Sequence, residues 1–183
     1  MVRLPRASWM VSLLLALPLF VFPAAGVRAE STTDATTFVP PVRELPNVRI
    51  ASALIVLAEQ RVYVYSRTRR LIATLPVSTG LSDSTPVGSF RVFSKSALAF
   101  YSPNPGERMR WMIRFTKGRE GDNVGFHSIP FRVTAAGEQP LPTPVGVAPS
   151  SHGCVRSRDS DAKWLFDNMT IGTPVRVVRS RTA

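Results

Sequence analysis

The chain holds one cysteine and two histidines, and all three lie in two short segments. One is Ser150-Ser151-His152-Gly153-Cys154-Val155-Arg156; the other is Gly125-Phe126-His127-Ser128. The one soft nucleophile and the side chains that titrate near neutral pH are thus gathered together, which is the equipment of a thiol nucleophile with an imidazole base. A free thiol is mostly protonated at neutral pH and needs a neighbour to take its proton. His152 lies two residues from Cys154, so an extended backbone puts both on one face. His127 must be brought in by the fold. Either histidine suits the base, with the other positioning or serving an oxyanion. Gly153 leaves no side chain beside the nucleophile, so a carbonyl can approach the N–H groups of Gly153 and Cys154. Ser128 can hold the His127 tautomer through its carbonyl or hydroxyl. A zinc site is disfavoured, because His152 and Cys154 are one residue apart and no fourth ligand is evident. No metal and no cofactor are expected.

The elements that must position these groups read mostly as β. Residues 53–57 and 61–65 form two apolar or alternating runs around a Glu59-Gln60 turn, a hairpin. Further strands are expected at 70–78, 88–93, 110–115, 125–129 and 174–178, separated by Gly, Pro, Ser and Asp turns. The pattern predicts a mainly β fold, a sandwich or barrel. One helix is expected after the cysteine, because Ala162, Leu165, Phe166 and Met169 make one apolar face. Ser157 or Asp159 would cap its start, Asp159 and Asp161 suit its first turn, and Gly172 follows its end. It would pack beneath the site. Trp111 and Tyr101 read as core aromatics rather than as a peptide groove.

Residues 1–29 read as an export signal: Arg3 and Arg6, then an apolar run, then the small-x-small Val27-Arg28-Ala29. Export to a periplasm or cell-wall space is expected, with no stable membrane span after cleavage. A lone cysteine in that oxidising setting suggests a free reactive thiol. Residues 30–49 read as a flexible tether and 50–180 as one domain. The formal charge is +11; without Arg3, Arg6 and Arg28, 20 basic residues face 12 acidic ones, leaving +8. The arginines are scattered, with no basic helix, so nucleic acid is not the expected partner. A cationic surface suits an anionic wall or membrane surface.

Ser151-His152-Gly153-Cys154-Val155-Arg156, with a histidine upstream, resembles the catalytic signature of the L,D-transpeptidases, the YkuD-type domain. Val77-Ser78-Thr79-Gly80, Thr85-Pro86-Val87-Gly88-Ser89-Phe90 and Gly172-Thr173-Pro174-Val175-Arg176-Val177 agree, so the resemblance covers about residues 53–178. It implies a β-sandwich of that type with one short helix after the cysteine motif. It implies Cys154 as the acylated nucleophile and His127 as base, with Ser128 orienting His127 through its carbonyl. His152 and Gly153 would shape the oxyanion site, and Arg156 and Ser151 would bind substrate, Arg156 through a carboxylate. The implied partners are peptidoglycan stem peptides. Cys154 attacks the third stem residue, D-alanine leaves, and an amine of a second stem resolves the thioester as a 3→3 cross-link. Water as acceptor makes an L,D-carboxypeptidase; an amidase and a non-catalytic wall-binding module are the other readings. A monomer is expected, with no separate wall-binding module. The 23 residues 128–150 between His127 and Ser151 exceed the family's usual spacing, and 134–149 is expected as an active-site lid or substrate-selecting loop.

Overall fold

The structure, a computed structural model, describes residues 45–181. The expected export signal and most of the expected tether lie outside them. The strands are β1 Ser52–Val56, β2 Arg61–Tyr65, β3 Leu71–Ser78, β4 Gly88–Arg91, β5 Ser94–Tyr101, β6 Asn104–Lys117, β7 Asn123–His127, β8 Phe131–Thr134, β9 Gly137–Pro140, β10 Val155–Ser157 and β11 Pro174–Val178. The helix α1 is Asp159–Asn168. The strands run in the order β4-β11-β1-β2-β3-β10-β7-β6-β8-β9, with β5 beside β6. Pairs β1–β11 and β7–β10 are parallel and the rest antiparallel.

This mixed sheet doubles over on itself. Phe93 N–H donates to Arg114 O at 2.9 Å, and the Phe90 and Phe115 rings lie 5.9 Å apart. One core therefore collects side chains from both ends of the sheet: Ile55, Leu75 and Val77 meet Ile113, Phe126 and Val155. The alternation that builds it is plain in β3, where Ala73, Leu75 and Val77 are buried, and in β11, where Val175 and Val177 flank exposed Arg176. Each buried Val or Leu among these stabilises the fold by about 1.5–3 kcal/mol.

The helix closes one side of this core with Trp164 and Leu165. Neither expected cap forms. Ser157 ends β10, and the chain passes through Arg158 directly into the first turn, so no residue is left to fold back as a side-chain cap. Asp159 and Asp161 in that turn face the positive end of the helix dipole instead. At the other end Lys95 of β5 donates to Phe166 O and to Met169 O. The expected tether joins the domain before residue 50: Trp164 Nε1–H donates to Pro46 O at 2.8 Å and Val48 N–H to Asn168 Oδ1 at 3.0 Å.

Four strands were absent from the sequence reading, β5, β8, β9 and β10, the last a short one inside the cysteine motif. The strand expected at 110–115 is the far half of the 14-residue β6. Its near half bends away from β7 and lies between β5, with which it forms a hairpin, and β8, which pairs with it at Glu107 and Arg108. The bend falls at Trp111, whose φ of 58° is in the left-handed region that bulky residues avoid. Segment 134–149, expected as an active-site lid or substrate-selecting loop, is tied to the sheet. It completes the β8–β9 hairpin and then runs as a strap beside β3, where Gly146 N–H donates to Val77 O at 2.7 Å and Ser78 Oγ to Ala148 O at 2.6 Å. The element that overhangs the cysteine is the β5–β6 hairpin.

Candidate active site

Parallel pairing of β10 with β7 sets Val155 beside Phe126 and Arg156 beside His127. Val155 and Phe126 are fully buried and point into the core. The alternation of strands then puts Cys154, Arg156 and His127 on the opposite face together. Cys154 precedes the register partner of His127 by two residues. A strand spacing of about 4.8 Å and a two-residue rise of about 6.6 Å put their backbones roughly 8 Å apart, within reach of two side chains.

The imidazole is held in one tautomer. His127 Nδ1 lies 2.6 Å from Ser128 O, and a carbonyl only accepts, so Nδ1 carries the proton and Nε2 of the neutral ring keeps a lone pair. Ser128 is itself fixed: its N–H donates to Arg110 O at 2.9 Å and its Oγ accepts from Arg110 N–H at 3.0 Å. Burial pushes His127 down from 6.5 to about 4, against the Ser128 bond that raises it, and the Arg156 charge lowers it further. Burial likewise pushes the Cys154 thiol up from 9.0 to about 11. The Gly125 N–H at the sulfur lowers it, Asp122 raises it, and the Arg156 and Arg114 charges lower it. The resting pair is neutral thiol and neutral imidazole. The thiol faces Asn123 O at 3.6 Å and packs against Ala99 and Met109 of the overhanging hairpin and Met112 beyond the bend.

The turn before the nucleophile is braced from within. Ser151 Oγ donates to Cys154 O at 2.6 Å and accepts from Gly153 N–H at 3.0 Å. The Gly153 N–H is therefore committed to the turn, while among the described residues that of Cys154 is not. Gly153 has a φ of 146°, which L side chains rarely adopt. Gly80 stands against it: a Cβ on Gly80 would lie 2.8 Å from Gly153 Cα and 2.2 Å from Ser84 Oγ. Buried Thr85 locks the two together, its Oγ1 accepting from Gly80 N–H at 2.7 Å and donating to Gly153 O at 2.8 Å.

Residues 51–177 match the family model of the YkuD L,D-transpeptidase catalytic domain. The chain belongs to this family. It is 29% identical over 124 residues to L,D-transpeptidase 1 of Mycobacterium tuberculosis, covering 63% of this chain and 46% of that protein. It is 28% identical over 159 residues to the putative L,D-transpeptidase YciB of Bacillus subtilis, covering 81% and 77%. Among solved structures, the L,D-transpeptidase LdtMt1 in complex with imipenem superposes with a TM-score of 0.52 at 25% identity, covering 69% of this chain and 57% of that one. The chain thus spans about half the length of the mycobacterial relative.

Within this L,D-transpeptidase domain the structure brings together Cys154, His127, Ser128, Gly153 and Arg156. Ser151 is buried and engaged inside the turn, so its hydroxyl braces the nucleophile. His152 is exposed and stacks on Tyr101, ring centroids 5.2 Å apart and 7° from parallel. It stands at the site's mouth, and Tyr101, read from the sequence as core, stands there with it. Trp111 leans on Phe166 of α1. Sequence reasoning missed Thr85, although it opens the Thr85-Pro86-Val87-Gly88 segment already noted, and it missed Glu107, which lies in a polar stretch without a motif.

Proposed function

We propose that the chain is a peptidoglycan L,D-transpeptidase working through a Cys154 thioester. The observation that carries this is the shared face of Cys154 and His127, with His127 Nδ1–H committed to Ser128 O so that Nε2 is the free acceptor. The thiol proton passes to Nε2 as Sγ attacks the carbonyl carbon of the third stem residue. The developing oxyanion lies at the Cys154 N–H. When the bond to D-alanine breaks, His127 returns the proton to the leaving amine. A second stem's amine attacks the thioester, loses a proton to His127, and expels the thiolate, which takes that proton back. His152 with Tyr101 borders the entrance, and Arg156 holds a substrate carboxylate. Residues 1–29 direct export and are cleaved after Ala29, so the monomeric enzyme works in the periplasm or cell-wall space.

Mass spectrometry of the purified protein with disaccharide-tetrapeptide, wild type against Cys154→Ala, tests this. A Cys154-dependent dimer lacking one D-alanine is expected. Cys154-dependent tripeptide alone would make the enzyme a carboxypeptidase, and equal results from the two proteins would overturn the proposal. Carbapenem should acylate Cys154, adding the intact drug mass to wild type and not to Cys154→Ala.

A further inference from the structure

The Arg156 guanidinium is buried with its hydrogen bonding unfinished. Its side chain is 9% exposed. Nη1 donates to Ser150 O at 3.2 Å and weakly to Ser150 Oγ at 3.4 Å. Nε is buried and has no hydrogen-bond partner among the described residues. Nη2 faces Glu107 Oε1 at 3.8 Å, well beyond the ~2.7–2.9 Å of a charge-assisted hydrogen bond. A guanidinium offers five donors in a rigid fork, and one left dry and unpaired is unfavourable. Glu107 is 13% exposed and belongs to β6. It sits in the half of that strand that overhangs Cys154, next to the exposed tip. An ion pair has therefore been taken out of water without being closed.

We infer that Arg156 is a carboxylate subsite that Glu107 covers in the free protein, and that its ligand is the terminal carboxylate of the donor stem. Placement supports this source. Arg156 lies two residues beyond Cys154 on the same face, about 6.6 Å along the strand. A carboxylate one residue past the scissile carbonyl falls in that range. In a tetrapeptide stem, that group is the carboxylate of the leaving D-alanine. Its two oxygens can take Nε and Nη2 together, satisfying the orphaned donor and displacing Glu107 with its hairpin. The subsite selects stems that end one residue after the attacked carbonyl. The inference rests on the transpeptidase reading for the identity of the ligand.

The test changes the ligand first, so it needs no altered subsite. Calorimetry on Cys154→Ala compares a tetrapeptide ending in D-alanine with the same peptide ending in D-alaninamide. The acid is expected to bind about 10- to 100-fold more tightly, the range of a bidentate bond to a charged group. Arg156→Lys in the same background keeps the charge, loses the fork, and should erase most of that preference. Glu107→Gln should tighten the acid several-fold and leave the amide unchanged. Equal binding of acid and amide overturns the subsite, as does a preference that survives Arg156→Lys in a protein that melts like its parent. Loosened acid binding in Glu107→Gln overturns the role of Glu107. These measurements need no turnover. A wild type without Cys154-dependent product that still prefers the acid would overturn the reaction and keep the subsite.

Discussion

The base of the site and the hairpin above it are built on opposite principles. At the base, backbone and buried hydroxyls are locked to one another. Thr85 joins Gly80 to Gly153, Ser151 ties the turn at both ends, and Gln60 binds Thr79 through both ends of its amide. The hairpin is an arm of β5 and β6, flanked on one edge by β8 at Glu107 and Arg108. Its tip is exposed, its apolar underside rests on Cys154 through Ala99 and Met109, and its carboxylate only approaches Arg156. The base fixes the backbone that carries the nucleophile, as the positioning demands of acyl transfer require. The arm covers that nucleophile with contacts weak enough for a peptide to replace. Rigidity and access are assigned to different strands.

The sharpest way to break this comparison is to remove the chemistry and leave the frame. Cys154→Ala and His127→Gln should each lower cross-linking by about a thousandfold or more, with the fold intact by circular dichroism. A His127→Gln protein of near wild-type rate would refute the base. Next come changes to the frame alone. Gly80→Ala drives a Cβ into Ser84 Oγ and Gly153 Cα and should destabilise by about 2–3 kcal/mol, lowering Tm by roughly 5–10 °C. Thr85→Val strands the Gly80 N–H and Gly153 C=O and should do similar damage, about 2–4 kcal/mol. Both should slow carbapenem acylation, because Gly153 sets the aim of Cys154. Unchanged melting in both variants would mean that the base is not locked in this way.

The buried imidazole sets a further, smaller effect. Folding holds His127 at about 4 against an ordinary 6.5. Between these values the unfolded chain takes up a proton that the folded chain refuses, so stability falls as pH drops from 6.5 to about 4 and this group adds nothing below. The loss across that window is about 3 kcal/mol. It should vanish in His127→Gln when denaturant unfolding is followed at pH 7 and pH 4.5. The same value predicts that kcat/KM holds down to about pH 5. An acid limb centred near 6.5 would show a solvated imidazole.

The two regions also differ in how far the sequence announced them. The base lies in short motifs whose residue types have one reading each: a lone cysteine, a histidine followed by serine, a glycine beside the nucleophile. The strands beneath alternate with period two and were placed to within a few residues. The arm carries no such signal. Its Ser102-Pro103-Asn104-Pro105-Gly106-Glu107-Arg108 stretch carries neither period-two alternation nor a motif, and its strand is set by pairing with β5. The partnership of Glu107 with Arg156 spans 49 positions and depends on how the sheet folds over, which no local pattern encodes. Conversely, the Pro- and Gly-rich 134–149 read as an active-site lid or substrate-selecting loop because composition does not reveal that its backbone bonds run to β3.

The arm's own test is the gentlest. Tyr101 lies half-buried at its end and stacks on exposed His152. An exposed aromatic pair of this kind contributes about 0.5–1.5 kcal/mol. Tyr101→Ala should therefore lower Tm by about 1–5 °C, because the ring flanks only the small cluster of Ala99, Met109 and Met112. It should raise KM for the donor peptide by about 2- to 5-fold, because the mouth loses a wall. Tyr101→Phe keeps the ring and should restore both. A Tyr101→Ala protein that melts as early as Gly80→Ala would make the arm part of the frame. One whose KM stays at the wild-type value would remove Tyr101 and His152 from the path that the peptide takes to Cys154.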